Sequence, residues 1–305
     1  MILDREGGMA DLPYWRRWRR AFWAQVARMV LASAQRWPAP LHRVACQALA
    51  SLAPLLQPGA ARRARRNLAL AFGDRSPAWR RRVLWRMMPA LGRNLHAALT
   101  SEREAAHGFP SVAADAGGAE GDLAGVLAAE ASGGRGAFLL TGHLGCWELL
   151  GTWLAHRLGG LTVVTATVHN PAVDRLLQDR RRALGMTPLP RDGGARPILR
   201  ALDEGRVVGV LLDQATRVQS RPLPFFGRPA PTPVGIARLA RRRDVAIVPA
   251  ALVWEDGRWR PQVLPPLRPA AFASDADLAA ACNAALETLI ARNPAQWVWF
   301  HRRWP

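Results

Sequence analysis

From residue 137 to residue 293 the chain alternates between short apolar runs and amphipathic stretches, and this alternation restricts the fold more than any other feature. AFLL (137–140), LTVVTATV (161–168), VVGVLLD (207–213) and VAIVPAALV (245–253) are aliphatic, largely β-branched and almost free of charge. Strands covered on both faces read this way, because neither side of the pleat meets water. Between them, WELLGTWLAHRL (147–158), PAVDRLLQDRRRAL (171–184), ARPILRALDEG (195–205) and TPVGIARLARRR (232–243) place apolar residues at helical spacing. Pro171 stands at a helix start and Gly205 at a helix end, where each is favoured. DLAAACNAALETLIARN (277–293) closes the series as a helix. The expected fold is α/β: a mixed, mostly parallel central sheet flanked by helices. Chemistry in such sheets gathers where strands end and helices begin, and both His143 and Asp213 fall at such junctions.

The first third of the chain has a different character. The formal charge of the whole is +19, carried by Arg alone, and residues 1–100 hold 18 Arg against 4 acidic residues. Such an excess predicts an anionic partner, either nucleic acid or a membrane surface. Trp15, Trp18, Trp23 and Trp37 lie in this part, the first two among Arg16, Arg17, Arg19 and Arg20. Indole sits at head-group depth while guanidinium pairs with phosphate, so the mixture favours the membrane. No helix-turn-helix, zinc or RNA-stacking motif supports nucleic acid. Residues 44–61 form an uncharged stretch, but Gln47, Pro54, Gln57 and Pro58 make it a poor span. It is expected to lie in the membrane plane or re-enter it, as a peripheral contact or a single weak anchor. No signal core with a small-residue cleavage site appears, so secretion is not expected. The chain therefore divides into a basic, amphipathic, helical membrane-associating region (1–61) and a larger domain (62–305). Residues 62–99 open that domain as two basic amphipathic helices broken at 73–77, and a Gly/Ala-rich segment comes after them at 105–135. Cys46, Cys146 and Cys282 are scattered and odd in number, which fits a reducing compartment and suggests neither a disulfide framework nor a zinc site.

Three stretches could carry chemistry. In TGHLGCWELLG (141–151), His143 and Glu148 stand five apart beside Gly142 and Gly145. On one straight helix they would point about 140° apart. With His143 in the turn and Glu148 one turn into the helix, the carboxylate can reach back to the ring. A carboxylate on one imidazole nitrogen fixes the tautomer and leaves the other nitrogen as a base. No Ser or Thr stands in a nucleophile elbow, so the hydroxyl to be activated would belong to a substrate. In residues 211–240 a strand ends at Asp213–Gln214, a polar loop comes next, and PFFGR precedes a helix. At the C-terminus, QWVWFHRRWP sets three Trp beside His301, Arg302 and Arg303, either as a packed sheet edge or as a cationic, aromatic ligand wall.

Taken together and in this order, RRNLALAF, GHLGCWE, LLDQ, PFFG, VPA and QWVWFHRRW resemble the late acyltransferases of bacterial lipid A biosynthesis. That family lies within the glycerolipid acyltransferases marked by His-x-x-x-x-Asp/Glu, and the resemblance runs from about residue 62 to 305. It implies transfer of an acyl chain from an acyl-carrier-protein or coenzyme A thioester to a hydroxyl of a phosphorylated lipid A precursor. The site would be the cytoplasmic face of the inner membrane, and neither cofactor nor metal would be needed. His143 would be the general base, oriented by Glu148. Asp213 and Gln214 would contact the acceptor head group or brace the site, and Gly227 and Arg228 would lie at a phosphate. Backbone N–H groups near 142–145 and Arg180 or Arg182 are candidates for the oxyanion, and His301 and Arg302 for substrate binding. Two alternatives stand beside this: the same chemistry on a phosphatidylinositol mannoside or lysophospholipid, or an inactive relative that binds anionic lipid.

Overall fold

The computed structural model describes residues 14–113, 122–215 and 219–305. Part of the Gly/Ala-rich segment and part of the loop after Gln214 lie outside them. Helices come first: α1 (Tyr14–Arg36), α2 (Ala39–Leu56), α3 (Pro58–Ala71), α4 (Pro77–Leu99), α5 (Ser101–Ala106) and α6 (Leu123–Glu130). The alternating part is next, as β1 (Ala137–Thr141), α7 (Trp147–Leu158), β2 (Leu161–Thr165), α8 (Pro171–Ala183), β3 (Met186–Pro190), α9 (Arg196–Asp203) and β4 (Val207–Leu211). Then come the hairpin β5 (Ser220–Phe225) and β6 (Arg228–Pro233), α10 (Gly235–Arg243), β7 (Ile247–Glu255), β8 (Arg258–Val263) and α11 (Asp275–Arg292).

Six strands form one sheet in the order β3-β2-β4-β1-β7-β8, parallel throughout except where β8 returns antiparallel to β7. This is the expected mixed, mostly parallel sheet. Successive residues of its central strands go to opposite faces. Phe138, Leu140, Val208, Val210, Ile247 and Val253 pack on one side with Leu286 and Leu289 of α11. Leu139, Val207, Val248 and Leu252 pack on the other with Leu149, Leu150 and Leu154 of α7. Each such side chain contributes about 1.5–3 kcal/mol on burial, so the sheet is held from both faces.

Three features depart from the sequence expectation. Residues 186–190 are a strand despite Pro188 and Pro190, because β3 is an edge strand whose outer groups need no partner. The stretch expected as a loop and PFFGR turn between Gln214 and the next helix contains a two-stranded hairpin turned at Phe226–Gly227, both with positive φ, which glycine tolerates at the second position. The uncharged stretch 44–61 is not one element, since α2 ends at Leu56 and α3 begins at Pro58 and runs across residue 61. The break between two basic helices at 73–77 is where it was expected, with Ser76 capping α4 through Trp79 N–H. Among the described residues no helix is long and apolar enough to cross a membrane.

Candidate active site

The register of two neighbouring parallel strands builds the site. Thr141 at the end of β1 pairs with Leu211 at the end of β4. Two residues beyond each, the chain arrives at His143 and at Asp213. The Asp213 side chain is fully buried and accepts three hydrogen bonds. Its Oδ2 takes the His143 main-chain N–H at 2.7 Å and the Trp297 indole N–H at 2.7 Å, while Oδ1 takes His143 Nδ1 at 2.9 Å. Burial alone would push the carboxyl up. The facing imidazole of His143, its hydrogen bond, His301 and the Trp297 indole outweigh that and hold Asp213 well below the ordinary carboxylate range. An ionised carboxylate only accepts, so in the neutral ring Nδ1 carries the proton and Nε2 the lone pair.

Two glycines make this geometry accessible. A Cβ on Gly142 would stand 2.9 Å from Asp213 Cγ, so a side chain there would displace the carboxylate. Gly145 has φ +59°, and a Cβ would lie 1.9 Å from the Leu252 carbonyl oxygen. That close approach lets Cys146 N–H donate to Leu252 O at 3.0 Å and turns the chain into α7. The C-terminal segment closes over the same turn, with Val298 N–H donating to His143 O at 3.1 Å and Gly145 N–H to Gln296 O at 3.0 Å. The main-chain N–H groups of His143, Gly145 and Cys146 are therefore already engaged. The expectation that N–H groups here face an oxyanion does not hold for these three.

His143 lies in the wall of a cavity of about 550 Å³, within the usual range for a ligand site. The wall is mainly apolar, with Val163, Leu177, Met186, Ile198 and Val210 among its residues, and Trp147 packs edge-on to the His143 ring at 4.8 Å. Glu148 is also in the wall, but it does not reach His143 as the spacing suggested. Its carboxylate forms a forked pair with Arg181 of α8, at 2.5 Å and 3.3 Å. The place beside the ring that Glu148 was expected to fill is taken, at Nδ1, by Asp213, whose strand lies beside that of His143.

The remaining candidates separate clearly. Gln214 lines the cavity. Arg180 instead donates to Ala98 O and Leu99 O at the end of α4 and pairs with Glu102 at 3.0 Å, which makes it a structural clasp. Arg182 pairs with Asp179 on the surface. Arg181, between them, is the one on the cavity wall, and sequence reasoning missed it; the signal was its i,i+4 spacing from Leu177, also in that wall. Gly227 serves the hairpin turn and Arg228 donates to Leu70 O, and neither is among the cavity-lining residues. His301 stands 6.2 Å from the His143 ring and 4.8 Å from Trp297, with no hydrogen-bond partner on either buried nitrogen. Burial above all, reinforced by His143, Arg303 and Arg63 against Asp213, pushes its pKa down to about 4, so it is a neutral imidazole. Arg302 is exposed, whereas Arg303 is fully buried over the Phe225 ring and bonded to Pro231 O, Thr232 Oγ1 and Asn283 Oδ1. Of the two readings of the C-terminus, packing holds for Trp297, Trp299 and Arg303, and only His301 is left beside the cavity's imidazole.

A carboxylate-backed imidazole at adjacent strand ends, in the wall of a largely apolar cavity, is an α/β arrangement able to abstract a proton from a partly aliphatic substrate. More particularly, residues 12–305 match the model of the bacterial lipid A biosynthesis acyltransferases, and the chain belongs to that family. It is also similar to two phosphatidylinositol mannoside acyltransferases. It is 32% identical to that of Mycobacterium tuberculosis (strain ATCC 25618 / H37Rv) over 185 residues, 58% of this chain and 57% of the relative. It is 29% identical to that of Mycolicibacterium smegmatis (strain ATCC 700084 / mc(2)155) over 178 residues, 56% and 57% of the two chains. The matched part thus spans a little over half the length of these curated relatives.

Proposed function

We propose that this chain is an O-acyltransferase that moves a fatty acyl group from a thioester to a hydroxyl of an anionic, phosphorylated glycolipid. The observation that carries the reading is the His143–Asp213 pair in the wall of the apolar cavity. His143 Nε2 takes the proton of the acceptor hydroxyl, and the oxygen attacks the thioester carbonyl. The tetrahedral intermediate then collapses, the C–S bond breaks, and the thiolate leaves with the proton held by His143. Asp213 stabilises the imidazolium that forms in between. Arg181, steadied by Glu148, is one of three arginines on the same wall, with Arg191 and Arg238, and is assigned to the developing oxyanion. Gln214 contacts the acceptor, His301 stays buried behind the His143 ring, and the apolar wall takes the acyl chain.

The donor in this reading is an acyl-carrier-protein thioester, and the first acceptor is a lipid A precursor, which the family's name favours. A second acceptor, phosphatidylinositol mannoside, is favoured by the names of the relatives. The protein works from the cytoplasmic face of the inner membrane as a peripheral protein. Trp15, Trp18, Phe22 and Trp23 of α1 and Leu41, Val44, Leu49 and Leu52 of α2 are exposed and suited to head-group depth. The test is acyl transfer in detergent micelles, with each acceptor offered in turn to wild type and His143→Ala. A product that gains one acyl chain and vanishes with His143→Ala supports the reading. Thioester turnover that is unchanged in His143→Ala overturns it.

A further inference from the structure

We propose that His42, Cys46 and His96 bind a zinc ion that clamps α2 onto α4, away from the cavity that His143 lines. His42 and Cys46 stand at i and i+4 on α2 and so share one face. His96 comes to them from α4. All three are buried, and one donor atom from each lies within 4.8 Å of the other two. None of them lines the cavity with His143.

The backbone around the cluster is tightly fixed. Gly92, one turn before His96, faces α2 so closely that a Cβ would stand 2.4 Å from Gln47 Cα and 2.8 Å from Cys46 O. The two helices therefore touch main chain to main chain beside the place where the three side chains converge. His42 Nδ1 and His96 Nδ1 are 2.7 Å apart, and Cys46 Sγ is 3.8 Å from His42 Nδ1. A tetrahedral zinc with ordinary bond lengths sets nitrogen pairs about 3.3 Å apart and nitrogen–sulfur pairs about 3.6 Å apart. Opening the two rings by about 0.6 Å brings the nitrogen pair to that spacing, and Cys46 Sγ, already near it from His42, has to close on His96 from within 4.8 Å.

The donor set selects the ion. Two imidazoles and a thiol suit zinc and exclude calcium and magnesium, which take oxygen ligands. Both rings are neutral, as ligation needs, chiefly because they are buried. Arg43 and Arg103 lie near enough to add to that effect at His96. They oppose a dication, and a Cys46 thiolate offsets one of its two charges. Three protein donors leave a fourth position for water. The outward side of α2 carries the exposed Leu41, Val44, Leu49 and Leu52, so the clamp would hold a lipid-facing helix in register with the domain. The metal reading stands independently of the acyl-transfer reading.

The experiment uses the full chain in detergent, stripped with chelator, re-equilibrated with micromolar zinc and desalted. Zinc per chain is measured by mass spectrometry, and cobalt(II) substitution by absorption. The expected result is one zinc per chain, a thiolate-to-cobalt charge-transfer band with tetrahedral d–d absorption, and a higher Tm with zinc than without. Cys46→Ser should abolish the charge-transfer band and His96→Gln should weaken zinc binding at least about tenfold, with Cys282→Ser unchanged. Circular dichroism checks that each variant is folded. Wild type that binds no stoichiometric zinc overturns the proposal, whatever the variants do, and means that His42 and His96 only share a proton. Binding that survives in folded Cys46→Ser overturns it equally.

Discussion

Replacing Asp213 with Asn keeps the size of the side chain and removes its charge, and the hydrogen bonds around it determine the consequence. Three donors converge on two oxygens: His143 N–H and Trp297 Nε1–H on Oδ2, and His143 Nδ1–H on Oδ1. Asparagine has one oxygen. The main-chain and indole donors cannot reverse their polarity, so the amide oxygen must take the Oδ2 position and the NH2 group must face Nδ1. Two donors cannot share that contact, and the imidazole moves its proton to Nε2, the nitrogen that should act as the base. Turnover should then fall by about 10³–10⁴-fold, equivalent to roughly 4–5.5 kcal/mol of transition-state stabilisation. The assay is the initial rate of thiol release from the acyl thioester in the presence of acceptor, for wild type and Asp213→Asn, with folding checked by circular dichroism. A variant that stays within about tenfold of wild type refutes the reasoning.

Because Glu148 touches Arg181 and not His143, Glu148→Gln and Arg181→Gln should damage one function, and the double variant should lose no more activity than the worse single one; additive losses in turnover would show separate roles. Gly151→Ala places a Cβ 2.9 Å from Met186 Sδ at the cavity wall, so the acyl chain accepted should shorten. Each methylene denied its place should cost about fourfold in kcat/KM, from ~0.8 kcal/mol of burial, measured across a thioester chain-length series. His301 is neutral when folded because its pKa is lowered to about 4 from the ordinary 6.5. Between those values the unfolded chain binds a proton that the folded one does not, so stability falls as pH drops from 6.5 to 4, by at most ~3 kcal/mol from this residue. Urea unfolding across that window should show a shallower slope for His301→Gln. Asp213 acts at lower pH, since its depressed pKa gives stability that is present above 3.8 and lost only on further acidification.

Much of the fold was legible in the sequence because strands buried on both faces must be aliphatic, and β1, β2, β4 and β7 fall on the four runs that show it. The misses were strands whose surroundings permit an unusual composition. β3 carries Pro188 and Pro190 on a sheet edge, and β5 and β6 pair only with each other, so five prolines there interrupt no larger ladder. The site was legible in its parts and not in its pairing. His143 and Asp213 could both be recognised at strand ends, but 70 residues separate them, and only the order of strands brings β4 beside β1. Glu148 was close in sequence and therefore drew the role that Asp213 fills. Sequence spacing reports contacts along one helix or strand, and a partner supplied by a neighbouring strand leaves no such trace. The same limit hid His96, which lies 54 residues from His42 yet touches it.

The measurement that tests the central claim most directly is the tautomeric state of His143, read from its two ring ¹⁵N shifts in histidine-labelled protein in detergent, with His143→Gln used for assignment. Wild type should show a protonated Nδ1 and a bare Nε2, Glu148→Gln the same state, and Asp213→Asn the opposite tautomer. A bare Nδ1 in wild type, or a tautomer that depends on Glu148 instead of Asp213, would contradict the assignment of Asp213 as the partner of the base.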